Sequence, residues 1–208
     1  MKQYLFFALN LLLALEGTSQ AKGDYMWQIG QNSHPQENPY ALSMVLDFNV
    51  LGINLDTFYR GMKMGYFNAS ISDVDGKLLV YSNGCQIKNG DHSNIPETMS
   101  LSPGETDFEW CLSNPSSGYP KFEGGLFISF FSDSIILLLH QRDYVLSNPT
   151  RIITDSLFYS SVQRDGDQYV LHEKTVPIVG DNLTDGNVEA VKASKPGAWW
   201  VTQGAKKS

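Results

Sequence analysis

The chain has 208 residues, 42% hydrophobic and 12% aromatic, with 15 basic side chains against 22 acidic ones and a formal net charge of −7. That is enough apolar material for the core of one domain. The acidic balance, with no basic patch or run to displace phosphate counterions, excludes a nucleic-acid binder, and Lys206-Lys207 is too short to change this.

Residues 1–21 read as a secretory signal peptide. Lys2 supplies the positive start, Tyr4–Leu15 the apolar stretch, and Thr18-Ser19-Gln20-Ala21 a small-residue cleavage site. The apolar stretch is interrupted by Asn10 and closed by Glu16, and falls short of the roughly 18 residues that span a bilayer. The longest later run, Ile135–Leu139, has strand length. The mature chain is therefore expected to lack an integral membrane segment and to be exported, to a periplasm, a cell surface or the medium.

Tyr25–Gly30 reads as a short aromatic strand and Gln31–Tyr40, with its prolines, as a loop. Ser43–Val50 alternates as a strand would, with Met44, Leu46 and Phe48 on one side. Leu51–Gly65 is ambiguous between a helical turn around Asp56–Met64, a loop and an edge strand. Asn68–Ile87 is a hairpin that turns at Val74-Asp75-Gly76, because glycine supplies the positive φ of a tight turn. Lys88–Pro120 is a polar excursion in which Asn, Ser, Pro and Gly forbid a regular element. Gly125–Phe131 and Ile135–His140 pair around Ser132-Asp133-Ser134, and the polar stretch Gln141–Arg151 links them to the next hairpin. There Asp165-Gly166 turns between Phe158–Val162 and Tyr169–Leu171, and the last arm continues into Val176–Val179. Val188–Ala193 and Ala198–Thr202 close the series around Ser194-Lys195-Pro196-Gly197. No amphipathic helix of convincing length interrupts these strands, so the chain reads as all-β.

Cys85 and Cys111 flank most of the polar excursion. In an exported chain the pair reads as a disulfide that ties the excursion to the strand launching it, rather than as two free thiols. Metal binding has little support, for the pair lacks the C-x-x-C spacing and His92 stands alone between them.

Chemistry is sparse elsewhere. Asp73, Asp75 and Gly76 read as a turn and not as a calcium loop, since the loop's twelfth position is Gly84 where a glutamate is needed. His140 and His172 end apolar arms and read as rim or core residues. His34 and His92 have no partner pattern, and neither a nucleophile elbow nor a phosphate loop occurs. No catalytic, cofactor-binding or metal residues are assigned. Glu123, Asp133 and Glu189 are the carboxylates available should a glycosidic site exist. Trp27, Tyr81, Trp110, Tyr119, Phe130, Phe131, Trp199 and Trp200 could stack sugars where exposed. Most read as core, and Trp110 and Tyr119 are the better surface candidates.

Consecutive antiparallel hairpins suit a β-propeller, with a sandwich as the main rival. The run Ser72-Asp73-x-Asp75-Gly76-Lys77-Leu78-Leu79-Val80-Tyr81-Ser82-Asn83-Gly84-Cys85 resembles the opening blade of exported propeller-like proteins of the Bacteroidetes. In order after it come Ser102-Pro103-Gly104, Cys111, Gly118-Tyr119-Pro120, Gly125–Ile128, Leu139-His140, Leu157–Ser160, Glu189–Lys192 and Trp199-Trp200-Val201. Those proteins commonly end in a type IX secretion sorting domain, which is absent here. The resemblance implies consecutive four-stranded antiparallel blades of an incomplete propeller: about two and a half blades over residues 22–203, then a tail at 204–208, as the front part of a longer protein. It implies little biochemistry. The expectation is a non-catalytic module that binds an unknown protein or glycan or serves as a scaffold, the alternative being a carbohydrate-active enzyme. Self-association is also expected. With paired tryptophans in the last strand, one ring must point to each face, and whichever face lacks a blade exposes an indole.

Overall fold

The computed structural model describes residues 25–30, 43–49, 52–58, 61–113, 118–121, 124–147, 150–195 and 197–205. The leader and the Gln31–Tyr40 loop lie outside them.

The described chain is all-β, in three antiparallel sheets. The first holds β1 (Met26–Gly30), β2 (Ser43–Asp47) and β3 (Asn54–Phe58), and the second holds β4 (Ala69–Ser72), β5 (Leu78–Ser82) and β6 (Ile87–Asn89). The third is a five-stranded meander of β7 (Gly125–Phe130), β8 (Ile135–Ser147), β9 (Thr150–Asp165), β10 (Gln168–Lys192) and β11 (Trp199–Ala205). Sheets of three, three and five strands replace the expected uniform sets of four, and the described residues form no closed ring.

Each turn expected from the sequence is present. Asp73 caps the first: its carboxylate accepts from the backbone N–H of Asp75 at 3.0 Å and of Lys77 at 2.9 Å. Gly76 follows at φ 88°, where a Cβ would collide with the Asn49 side chain that donates to its carbonyl at 2.9 Å.

Several expectations are corrected. Within the polar stretch Gln141–Arg151 the described residues are strand, because β8 and β9 pair through Asp143↔Thr154 and on to Ser147↔Thr150. Polarity does not break it where partners are at hand: Arg142 forms a two-pronged pair with Asp155 at 2.9 and 2.7 Å. The excursion after β6 carries a helical segment, α1 (Glu105–Asp107), that runs on as a π-helical turn (Phe108–Leu112) closed by Ser113 N–H to Phe108 O at 3.0 Å. In the ambiguous Leu51–Gly65 stretch, Asn54–Phe58 is the edge strand β3. In β2 the buried side chains are Ser43 and Val45, while Met44 and Leu46, together on the other face as alternation requires, are half-buried. Gly204 and Ala205, assigned to the tail, belong to β11.

The third sheet is covered on both faces. Ile136 and Leu138 of β8 and Val162 of β9 join Phe67, Ile71, Leu79, Val80, Leu101 and Tyr119 in one core against the second sheet. Leu139 and Leu157 on the opposite face join Ile128, Leu183 and Val188. That second cluster exists because β10 folds over. Between Leu183↔Ala205 and Val188↔Gln203 the register takes five steps along β10 against two along β11. The extra residues form a bend at Gly186, φ 68°, which sends Val188–Lys192 and β11 back across the sheet. Trp199 of β11 reaches β7, its indole N–H donating to Ser129 O at 3.1 Å, and Trp200 points the other way with 71% of its surface exposed.

As a result β1, β4 and β7, each the first strand of its sheet, lie side by side in chain order, with the second half of β10 against β7. Ser70 Oγ of β4 donates to Met26 O of β1 at 2.8 Å. A groove of about 350 Å³ runs among β1, β4 and β7, lined by Trp27, Ile29, Asn68 and Phe127.

Candidate functional site

Two tight turns of the third sheet and one of the second border a cleft of about 550 Å³. One wall is the β7–β8 turn with Phe130, Phe131, Ser132 and Asp133, and the other is the β10–β11 turn with Lys192, Ser194, Lys195 and Trp199. Val74, from the β4–β5 turn, closes one side.

The β7–β8 turn has unusual geometry. Phe131, Ser132 and Asp133 stand at φ 51°, 53° and 63°, three successive non-glycine residues in the left-handed region. Each costs about 1 kcal/mol relative to an ordinary conformation, so the turn persists only because its surroundings hold it. Ser134 N–H donates to Phe131 O at 3.2 Å, Arg164 N–H to Ser134 O at 2.9 Å, and Tyr169 Oη to Asp133 O at 2.7 Å. The outcome is an outward-turned Phe131, 73% exposed, with its ring centroid 6.4 Å from that of Phe130.

Across the cleft, Trp199 is fixed by its indole hydrogen bond and by packing against the second core. Lys192 Nζ lies 5.4 Å from the centre of the Trp199 ring, within cation–π range. Gly197 takes φ 71° in the turn that presents Lys195, and Ala193 N–H donates to Ala198 O at 3.0 Å. Chemically the cleft offers three aromatic rings, two ammonium groups, small hydroxyls and, among the described residues, one carboxylate, Asp133.

A neighbouring recess of about 360 Å³, between the two Asp-Gly turns, is more polar but already satisfied within itself. Asp91 accepts from Ser93 Oγ at 2.6 Å and from Gln168 Nε2 at 2.8 Å, and the Ser93 bonds hold its carboxyl below the usual range. Arg164 donates to Tyr169 Oη at 2.9 Å.

Of the carboxylates considered for hydrolysis, Asp133 lines the cleft, Glu189 is exposed on β10 opposite Thr202, and Glu123 lies outside the described residues. Among the aromatics, Tyr119 is a correction. It is buried and accepts from Asp143 N–H at 2.9 Å. Trp110 is partly exposed on the π-helical turn, its ring centroid 6.4 Å from that of Tyr66 in an edge-to-face contact. Phe131, read as core from its place next to a strand, is the exposed ring that matters. The Ser132-Asp133-Ser134 turn signal was legible, but its left-handed backbone was not.

The histidines divide. His140 is fully buried, with Nδ1 2.9 Å from Ser102 Oγ and Nε2 3.0 Å from Ser160 Oγ, and burial pulls its pKa down to about 3. It is a neutral structural bridge with no route to a ligand. His172 is exposed on β10, His92 Nδ1 lies 3.0 Å from Tyr81 Oη, and His34 lies outside the described residues. Among the described residues no three metal-ligating side chains converge.

Cys85 and Cys111 are joined, Cα to Cα 5.1 Å, which fastens the helical segment to the second sheet. Such bonds persist in oxidising compartments outside the cytoplasm. No helix among the described residues is long and apolar enough to cross a membrane. Comparison with known protein families, curated proteins and solved structures finds no match to the chain.

Proposed function

We propose that this chain is an exported, non-catalytic module of propeller-type blades that binds a glycan in the cleft between the β7–β8 and β10–β11 turns. The observation that carries the binding reading is Phe131. A large apolar ring is held outward on three consecutive left-handed residues, and it lines the same cleft as a fixed tryptophan. Backbone of this kind is costly and clusters where a surface has a task. Rings exposed beside hydroxyl, ammonium and carboxylate groups suit a saccharide, which has an apolar face and a polar rim.

The blade reading rests on packing order. Sheets that stack in sequence, each with its first strand beside the first strand of the last, are what a propeller axis requires. Gln168–Gly180 completes a four-stranded set with β7, β8 and β9, and β10 then crosses over to begin the next. Export is supported by the leader and by the disulfide. Binding is favoured over hydrolysis because Asp133 is the only carboxylate among the described residues of the cleft, and glycoside hydrolysis ordinarily uses a pair.

The test is a glycan array with the secreted chain, alongside a hydrolysis screen of the glycans retained. Binding that Phe131→Ala abolishes, with every retained glycan intact, is the expected result. Cleavage of a retained glycan overturns the non-catalytic reading, and retention unaffected by Phe131→Ala overturns the site.

A further inference from the structure

Resting on that reading, we infer that the cleft selects an anionic saccharide, its acidic group seated on Lys192 and Lys195 and its ring against Phe131 and Trp199. The chain carries a net charge of −7, so a polyanion is repelled by the molecule as a whole. The cleft inverts that balance locally, with two ammonium groups against one carboxylate among the described residues.

The arrangement is also specific in form. Lys192 lies over the Trp199 ring, so cation and stacking surface are neighbours, as an acidic sugar needs when its ring and its charged substituent bind together. Lys195 stands on the adjoining turn, within the same wall. Asp133 is on the opposite wall, its backbone pinned by Tyr169, and supplies a carboxylate to accept from sugar hydroxyls. A neutral sugar would use the rings and Asp133 but offer neither ammonium group an anionic partner.

The experiment is titration of the full secreted chain with three oligosaccharides of matched length: an oligogalacturonate, a sulfated galactan fragment and a neutral galactan fragment, followed by tryptophan fluorescence and calorimetry. The expected result is that an anionic member binds at least about tenfold more tightly than the neutral one, equivalent to about 1.4 kcal/mol. That advantage shrinks as salt rises, and Lys192→Gln with Lys195→Gln removes it while the melting curve is unchanged. Lys195→Gln alone, which leaves the Trp199 contact intact, removes part of it. The uronate and sulfate arms decide which anion is preferred, and preference for either supports the inference. Equal binding of the neutral fragment, or an anionic preference that survives the double substitution, overturns the inference and leaves glycan binding standing. Failure of all three to bind, with a cooperative melt showing folded protein, overturns the anionic inference and counts against the glycan reading as well.

Discussion

The side-chain amide of Gln141 takes the place of a strand partner for Gly186: its Nε2 donates to Gly186 O at 3.0 Å and its Oε1 accepts from Gly186 N–H at 3.0 Å. Both residues are buried, and at this point β10 leaves its pairing with β9 and turns back over the sheet. A bend in mid-strand exposes backbone groups that no neighbouring strand can reach, and burial makes leaving them unpaired expensive. Gln141 supplies both missing bonds, and so positions Trp199 and one wall of the cleft.

Gln141→Leu should therefore destabilise the chain by about 2 kcal/mol, since the buried Gly186 N–H loses its partner and Gly186 O keeps only the long bond from Gln203 Nε2 at 3.4 Å. Gly186→Ala should cost about 1 kcal/mol through its φ of 68°. Urea denaturation followed by tryptophan fluorescence measures both, and a Gln141→Leu midpoint equal to that of the parent would refute the role given to the amide.

Lys121 and Asp143 form a buried ion pair in which Lys121 Nζ also donates to Thr154 Oγ1 at 2.7 Å. Lys121→Met leaves a buried carboxylate uncompensated and should cost about 3–5 kcal/mol. Pairing it with Asp143→Asn should recover a substantial part of that loss. A double variant no more stable than the single one would show that the charge is not the cause.

Stability should fall on mild acidification because of His140. Its folded pKa, about 3, lies below the unfolded value near 6.5, so between these the unfolded chain binds the extra proton. The contribution is fully present above pH 6.5 and is lost as pH falls from there towards 3. Asp155 adds a loss only at lower pH. Burial, the largest single influence, pulls its pKa up, but the hydrogen bond and charge of Arg142, together with hydrogen bonds from Ser156 and the backbone, leave it below its ordinary value. Asp107, raised chiefly by burial, has the opposite sign in that lower range. His140→Asn should flatten the stability profile between pH 5 and 6.5, and a profile in that window identical to the parent's excludes His140 as its source.

The Cys85–Cys111 bond closes a separation of 26 residues and should stabilise the fold by about 3.5 kcal/mol on the chain-entropy account. Non-reducing peptide mass mapping should find one linked pair. Replacing both cysteines with serine should lower the denaturation midpoint accordingly, and alkylation of free thiols in the secreted protein would contradict the bond.

Ser132→Gly should stabilise the chain by about 1 kcal/mol, because glycine adopts φ 53° without the Cβ penalty. If Phe131 is held outward for binding, the same variant should bind more weakly, through a looser turn. A more stable variant with unchanged glycan affinity would show that the geometry of this turn carries no function.

Hairpin positions and the disulfide were legible along the chain because their causes are local. Asp-Gly turns, alternating apolar arms and a lone cysteine pair are set by φ preferences, side-chain alternation and compartment. The corrections share a different cause. Gln141–Arg151 read as a link because polar residues look like loop until their partners, such as Asp155 for Arg142, are brought beside them. Tyr119 read as surface because it sits in a polar excursion that the disulfide presses onto the core. Sequence alone thus determined an all-β chain of consecutive hairpins with one disulfide. Tertiary structure decided that β10 bends at Gly186, that Phe131 turns outward and that Lys192 meets Trp199, because each depends on residues distant in the chain meeting in space.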